Sequence, residues 1–413
     1  MRLIPDTADA NAGRLLLAKA LRSIADGYVS ILLPAYLLGL GLSPFRVGVI
    51  ATATLLGSAG LTLLTGLITT RFGHRRPLLA ASVLMIFTGL AFARVQAFWP
   101  LLLIAFVGTL NPSSGDVSIF LPLEQSLLSE SVADRDRTAL FARYSLAGSL
   151  MGAFGALLAG VPEFAAHWFG TSPLPAMQAM FLLYALLGMA AGAVYRRLHE
   201  PELEQPQRTH QSLGPSRDIV YRLATLFSID AFGGGFFVQS ILALWLFKAF
   251  NLSVVSAATL FFWTNLLTAA SYLAAVPIAR RFGLIRTMVF THLPSSLCLI
   301  AIPFAPNLAV VVGLLVLRSL LSQMDVPTRS SYVMAVVTPP ERPAAAGITS
   351  VPRSLAAAVS PTIAGYLLTV SSFGWPLLIG GALKIGYDLA LLALFQHVRP
   401  PEETGVTKRS GQA

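Results

Sequence analysis

The chain has 413 residues, 55% of them hydrophobic and only 12% charged, with a mean hydropathy of +0.70. Soluble chains carry about 25% charged residues to clothe their surface, so a water-soluble enzyme is excluded and lipid is the solvent this composition fits. Net charge is +10, from 29 Lys+Arg against 19 Asp+Glu; the basic residues sit in loops between apolar runs, where they fix topology rather than bind nucleic acid.

Residues 1–13 include Asp6 and Asp9 and no apolar core, so no cleavable leader is read there and the first apolar stretch is expected to persist in the mature protein. Apolar stretches follow at about 15–40, 46–70, 77–97, 99–127, 141–162 and 175–195. A polar, Pro- and Gln-rich interval ends this series and reads as a linker. Six more stretches run over about 218–247, 254–279, 287–304, 308–335, 344–369 and 376–396. Lipid offers the backbone no hydrogen-bond partner, so unbroken runs of this length are expected as helices. The expectation is an all-α integral membrane protein of twelve spans. Residues 1–196 form one six-helix bundle, 197–217 a cytoplasmic linker, 218–398 a second bundle and 399–413 a cytoplasmic tail. With a cytoplasmic amino terminus only Arg46, Arg94 and Lys248 fall in outer loops, and Arg318 and Lys384 within spans. That asymmetry places both termini in the cytoplasm, and the Arg- and Ala-rich usage hints at a bacterial inner membrane.

The halves repeat each other. Ser30-Ile31-Leu32 and Arg71-Phe72-Gly73 recur 210 residues later as Ser240-Ile241-Leu242 and Arg281-Phe282-Gly283. Pro122, Arg137, Ser145, Ser149, Leu150, Ala159 and Gly160 recur at an offset of 205 as Pro327, Arg342, Ser350, Ser354, Leu355, Ala364 and Gly365. A duplication of six spans is the signature of a transporter built from two related bundles.

Between the second and third spans, GLITTRFGHRRPLL (66–79) is similar to the loop signature of the major facilitator superfamily. Gly66, Arg71, Gly73 and Arg75 fall on the pattern, with His74 at its first trailing basic position and Thr70 where that family usually has Asp. Over nearly its whole length the chain resembles that superfamily, and within it the twelve-helix drug:proton antiporters. Gly148, Gly152, Gly155 and Gly160 of the fifth span answer faintly to the antiporter pattern, without its Gly-Pro pair. The resemblance implies alternating access around a cavity lined by the first, fourth, seventh and tenth spans. It also gives the loop a gating role, through Gly66, Arg71, Gly73, Arg75 and Arg76. The competing reading is that these basic residues only fix topology at an anionic leaflet.

An ionised group at mid-bilayer costs about 2.5–3.5 kcal/mol on insertion scales, so it needs a partner or a task. Asp26 lies eleven residues into the first span, about 16 Å deep at 1.5 Å per residue. It is the leading proton or substrate residue, or else an ion-pair partner of Arg22 one turn earlier. Asp116 follows an interruption, Asn111-Pro112-Ser113-Ser114-Gly115, which breaks a helix just before an acid. Asp325 stands near the equivalent place in the tenth span, where Arg318, Asp325 and Arg329 follow one helical stripe. Arg318 is a candidate anchor for an anionic substrate or a partner of Asp325. Glu124 and Arg329 are nearly equivalent across the repeat and of opposite charge, so they are expected either to bridge as a gate or to pair within their bundles. Asp230 precedes the flexible Gly233-Gly234-Gly235, and Asp388 is expected to pair with Lys384.

The chain has no GxxxxGK[ST] loop and only four lysines, and HExxH and GxSxG are missing too, so ATP-driven pumping and hydrolytic chemistry are not supported. The six histidines are dispersed and Cys298 is single, so no metal or other cofactor is expected. The favoured reading is a monomeric secondary transporter, not an enzyme, exporting an amphipathic small molecule in exchange for protons. The alternative substrate is a specific anionic metabolite, taken up or exported. A receptor-like protein without turnover is the rival of another class.

Overall fold

A computed structural model describes residues 8–113, 118–132, 134–199, 214–338 and 341–396, with backbone alone over 66–72 and 134–139 among others. Among these residues there are helices and no strands. The first half contains α1 (Ala10–Gly39), α2 (Pro44–Phe72), α3 (Arg75–Arg94), α4 (Phe98–Val107), α5 (Phe120–Glu130), α6 (Asp134–Leu158), α7 (Val161–Phe169) and α8 (Pro173–Tyr195). The second contains α9 (Arg217–Gly235), α10 (Gln239–Phe250), α11 (Val254–Phe282), α12 (Leu284–Ala301), α13 (Leu308–Leu321), α14 (Asp325–Val336), α15 (Arg342–Val370) and α16 (Trp375–Phe395). Among the described residues, eight helical stretches are long and apolar enough to cross a membrane. Twelve spans result when α4 with α5, α6 with α7, α9 with α10 and α13 with α14 are each read as one interrupted span.

Two interruptions have visible local causes. The fourth span stops at Gly108, and Asn111 then accepts from the Ser113 amide at 3.0 Å and its hydroxyl at 2.7 Å, a side-chain turn that competes with helix. The seventh span breaks over 236–238, after three consecutive glycines weaken the helix. The tenth breaks over 322–324, so the stripe expected through Arg318, Asp325 and Arg329 is divided between α13 and α14.

By contact the chain falls into two compact units: Met1–Gln205 with Val238–Leu266 and Pro361–Ser372, and Pro206–Phe237 with Leu267–Ser360 and Phe373–Ala413. In the first, α1 runs along α6 and α8, and α3 along α8. Gly155 sits directly against the carbonyl of Ile24, where no Cβ fits; small residues let helices in lipid approach closely enough for dispersion to hold them. The same device joins α2 to the 361–370 half of α15. An added methyl at Gly48 would collide with the carbonyl oxygen of Pro361 and stand 3.0 Å from the Gly365 Cα. One turn on, Thr362 donates its hydroxyl to Thr52 Oγ1 at 2.8 Å. Near the end of α15, Thr369 Oγ1 accepts from the Phe45 amide at 2.9 Å, and the Lys248 ammonium donates to the Leu368 carbonyl.

In the second unit α12 packs on α16, α13 and α14, and α16 on α9. Val220, Leu223 and Phe227 meet Met288, Tyr332, Tyr387, Leu391 and Phe395 in its core. The Gly214 amide donates to Glu341; the Ser216 hydroxyl donates to the same carboxylate at 2.7 Å and the Thr338 hydroxyl at 2.5 Å. These donors, Thr338 first, then Ser216 and Gly214, hold the Glu341 carboxyl down at about 2 against an ordinary 4.5.

Two outcomes are expected. Gly48→Leu should force α2 off α15, so a cysteine placed at Thr52 in a Cys298→Ser background should react severalfold faster with a maleimide than when Gly48 is present. A carboxyl depressed in the folded state stabilises above its unfolded value and loses that contribution as pH falls through the folded one. Protection of the Gly214 amide against hydrogen exchange, corrected for intrinsic rate, should therefore be full above about pH 4.5 and fade toward about pH 2; Glu341→Gln should weaken it already at neutral pH and remove the acid limb.

Candidate functional site

Each unit encloses a cluster of charges that only tertiary structure assembles. In the first, Arg22 of α1 does not turn to Asp26, one helical turn away. Its Nη2 donates to Glu124 of α5, and its Nε to the Tyr195 hydroxyl of α8 at 3.0 Å. Tyr195 donates to Glu124 Oε1 at 2.5 Å and Tyr144 of α6 to Oε2. The guanidinium lies over the Phe120 ring, 4.2 Å from its centre. Glu124 is fully buried and Arg22 is 3% exposed, so four helices meet on one satisfied ion pair.

Asp26 stands apart from this pair. It is half-buried at the middle of α1, hydrogen-bonds Asn111 at the break of the fourth span, and feels the charges of Arg22 and Lys19 from a distance. Among the described residues no cation forms an ion pair with it. The Tyr184 hydroxyl nearby donates to the Thr109 carbonyl at 2.8 Å. The two breaks in this unit meet: the Ser240 amide, at the start of α10, donates to the Pro112 carbonyl at 3.0 Å. Sequence reasoning passed over Gln239 and Asn265, whose amide nitrogens are buried without a hydrogen-bond partner among the described residues. An amide side chain inside an otherwise apolar span is the signal that points to them.

In the second unit Arg329 of α14 donates to Asp325, four residues back, and to Asp230 Oδ2 of α9 at 3.3 Å. Lys384 of α16 donates to Asp230 Oδ1 at 2.6 Å. Asp388, fully buried, takes His292 of α12, whose Nδ1 lies 2.9 Å from Oδ1 and 3.1 Å from Oδ2. The expected pair of Lys384 with Asp388 is thus replaced on both sides, because α9 and α12 bring better-placed partners than the i,i+4 neighbour. A bridge from Glu124 to Arg329 is likewise not what satisfies either residue: each has its full set of partners within its own unit. Arg318 finds no carboxylate among the described residues. The break at 322–324 separates it from Asp325, and its guanidinium lies 4.8 Å from the centre of the Phe237 ring, a cation–π contact.

Of the loop residues read as gating, Gly73 adopts φ +73° and ends the turn from α2 into α3. Arg75 donates to the carbonyl of Arg196 at the end of α8 at 2.6 Å, while Arg76 points outward. Asp116, and the side chains of 66–72 including Arg71, lie outside the described residues.

The sequence profile described as Major Facilitator Superfamily matches residues 15–246 and again 223–412, and the chain belongs to that superfamily. It is a transporter by class and not an enzyme. An uncharacterized membrane protein of Saccharomyces cerevisiae is 24% identical over 410 residues, spanning 91% of this chain and 92% of its own. The Yersinia pestis protein that carries the multidrug resistance name MdtD is 30% identical over 174 residues, 40% of this chain and 36% of that one. Among solved structures, the nucleoside transporter NupG superposes with a TM-score of 0.75 at 12% identity, over 93% of this chain and all of the other; at that identity the likeness is one of fold.

Removing one partner of a buried ion pair costs about 3–5 kcal/mol, because the other charge is left unsolvated. Arg22→Met should therefore lower thermal stability sharply, and the double variant Arg22→Met/Glu124→Met should recover most of the loss. Strictly additive losses in a thermal double-mutant cycle would show that the pair does not act as a unit.

Proposed function

We propose that the chain is a proton-coupled exporter of an amphipathic small molecule, working by alternating access. The observation that carries this reading is Asp26: a carboxyl at mid-span, half-buried, held by Asn111 and without an ion-pair partner among the described residues. The buried Arg22 and Glu124 of the same unit are locked as a pair, whereas a carboxyl held by a neutral amide can take up and release a proton. The local likeness to a protein named for multidrug resistance supports export. So do the broken fourth and seventh spans, which meet beside Asp26, the seventh offering the amide of Gln239 to a solute otherwise met by apolar side chains. In this reading Asp230 and Asp325 tune the second half rather than contact the solute, and Asp116 supplements Asp26. The loop of Arg71, Gly73, Arg75 and Arg76, together with Glu124 and Arg329, would stabilise one end state. The protein would lie as a monomer in a bacterial inner membrane with both termini cytoplasmic, and residues 1–196 and 218–398 would be the moving halves.

A second reading has its own observation. Arg318, which among the described residues meets the face of Phe237 and no carboxylate, is a cation with donors to spare, which suits an anionic solute.

The two separate in inside-out vesicles. A compound screen for toxic amphiphiles should find at least one whose accumulation collapses the proton gradient and is abolished in Asp26→Asn. Arg318→Gln should spare lipophilic cations and abolish transport of anions. Flux and pH dependence untouched by Asp26→Asn would overturn proton coupling at this residue.

A further inference from the structure

We propose that His292 and Asp388, on α12 and α16, form a second proton-binding site buried in the second unit, and that the proton bound there changes the partner of Asp230. The inference starts from charge. Asp230, Asp325 and Asp388 face two permanent cations, Arg329 and Lys384, in one hydrogen-bonded network. With a neutral imidazole the network carries one surplus negative charge, all of it nine-tenths buried or nearly so. An uncompensated charge in such surroundings is expensive, and the imidazole can cancel it by accepting a proton on its second ring nitrogen.

Geometry then assigns the proton. Lys384 Nζ stands 3.3 Å from His292 Nε2 while donating to Asp230 Oδ1. An ammonium has no lone pair to offer, so Nε2 must be the acceptor. The resident proton therefore sits on Nδ1, where Asp388 takes it. The vacant position is Nε2. Once protonated, Nε2 can no longer face an ammonium donor, and a carboxylate oxygen within reach is Asp230 Oδ1 at 3.8 Å, the atom that Lys384 now holds. Imidazolium and ammonium then compete for one carboxylate oxygen, and Lys384 is displaced. Its side chain lies alongside Gly233 and Gly234, just before the break in the seventh span. That places the displaced group at the most deformable part of α9.

The other groups around the ring do not offer a rival site. On α14, Arg329 binds both Asp325 and Asp230. On α16, the Tyr387 ring stands edge-on to the imidazole at 6.1 Å. On α13, Arg318 lies over Phe237 and within electrostatic reach of Cys298, six residues along α12 from His292. That the bound proton serves as a coupling ion rests on the transport reading above. That the site binds a proton does not.

The test uses the full-length protein in nanodiscs without substrate, ring-labelled with 13C at histidine, the His292 resonance being the one lost in His292→Gln. In the wild type this ring should pass from the Nδ1-protonated neutral form to the imidazolium as pH is lowered over the range in which the protein stays folded. Asp388→Asn removes the surplus charge and should keep the ring neutral through that range. Lys384→Met doubles the surplus and should raise proton affinity about tenfold, one pH unit; Lys384→Gln serves if that variant does not fold. The Lys384 ε-carbon, one of four lysines, should shift with the same midpoint as the ring. A wild-type ring that stays neutral throughout, or variants that move its titration in the same direction or not at all, overturns the site; a Lys384 signal indifferent to it overturns the exchange of partners. Failure of the transport reading would show separately, as absent flux in vesicles beside an intact titration.

Discussion

A guanidinium or a carboxylate inside a bilayer must bring its own solvent, and that requirement organises this protein. Arg22 is solvated by Glu124, the Tyr195 hydroxyl and the face of Phe120, Glu124 by Arg22 and two tyrosine hydroxyls. Apart from Phe120 and Glu124, one turn apart on α5, these partners lie far apart in sequence, so satisfying one charge fixes how α1, α5, α6 and α8 approach each other. Hydrophobic burial cannot supply such specificity in lipid, where leucine is as well solvated outside a bundle as inside it. Glycine contacts set how near two helices come, and buried polar groups set which helices and in what register.

The second unit solves the same problem differently. Its network is branched, with Asp230 shared by Arg329 and Lys384 and the imidazole of His292 bridging Lys384 to Asp388. A closed pair such as Arg22 with Glu124 has one satisfied arrangement. A branched network, in which one carboxylate is shared by two cations, offers more than one. The interruptions of the fourth, seventh and tenth spans lie beside these polar groups, and irregular backbone at membrane depth is tolerated where protein or water replaces the lost helical bonds.

Asp26 and Arg318 are the exceptions, and both are informative. Each sits within a span without an ion-pair partner among the described residues, one held by Asn111 and the other by Phe237.

The apolar runs, the polar interval between two halves and the internal repeat were legible in the sequence because they follow from backbone hydrogen bonding in lipid, a constraint that acts residue by residue. The break at Asn111-Pro112 was legible for the same local reason, and so was the weakness of Gly233-Gly234-Gly235. The charge partners were not. Sequence spacing offers only neighbours one turn away, Asp26 for Arg22 and Lys384 for Asp388, whereas the partners that the structure selects, Glu124 and His292, lie on other helices. An i,i+4 pair on one helix is weak and leaves most lone pairs and protons unmet; a partner from a facing helix satisfies them and excludes lipid at the same time. The sequence by itself determined that the chain is a twelve-span membrane protein and which charges had to be dealt with inside it. Only the tertiary structure decided with whom each charge is paired and which are left free, because that choice depends on distances across helices that no local pattern encodes.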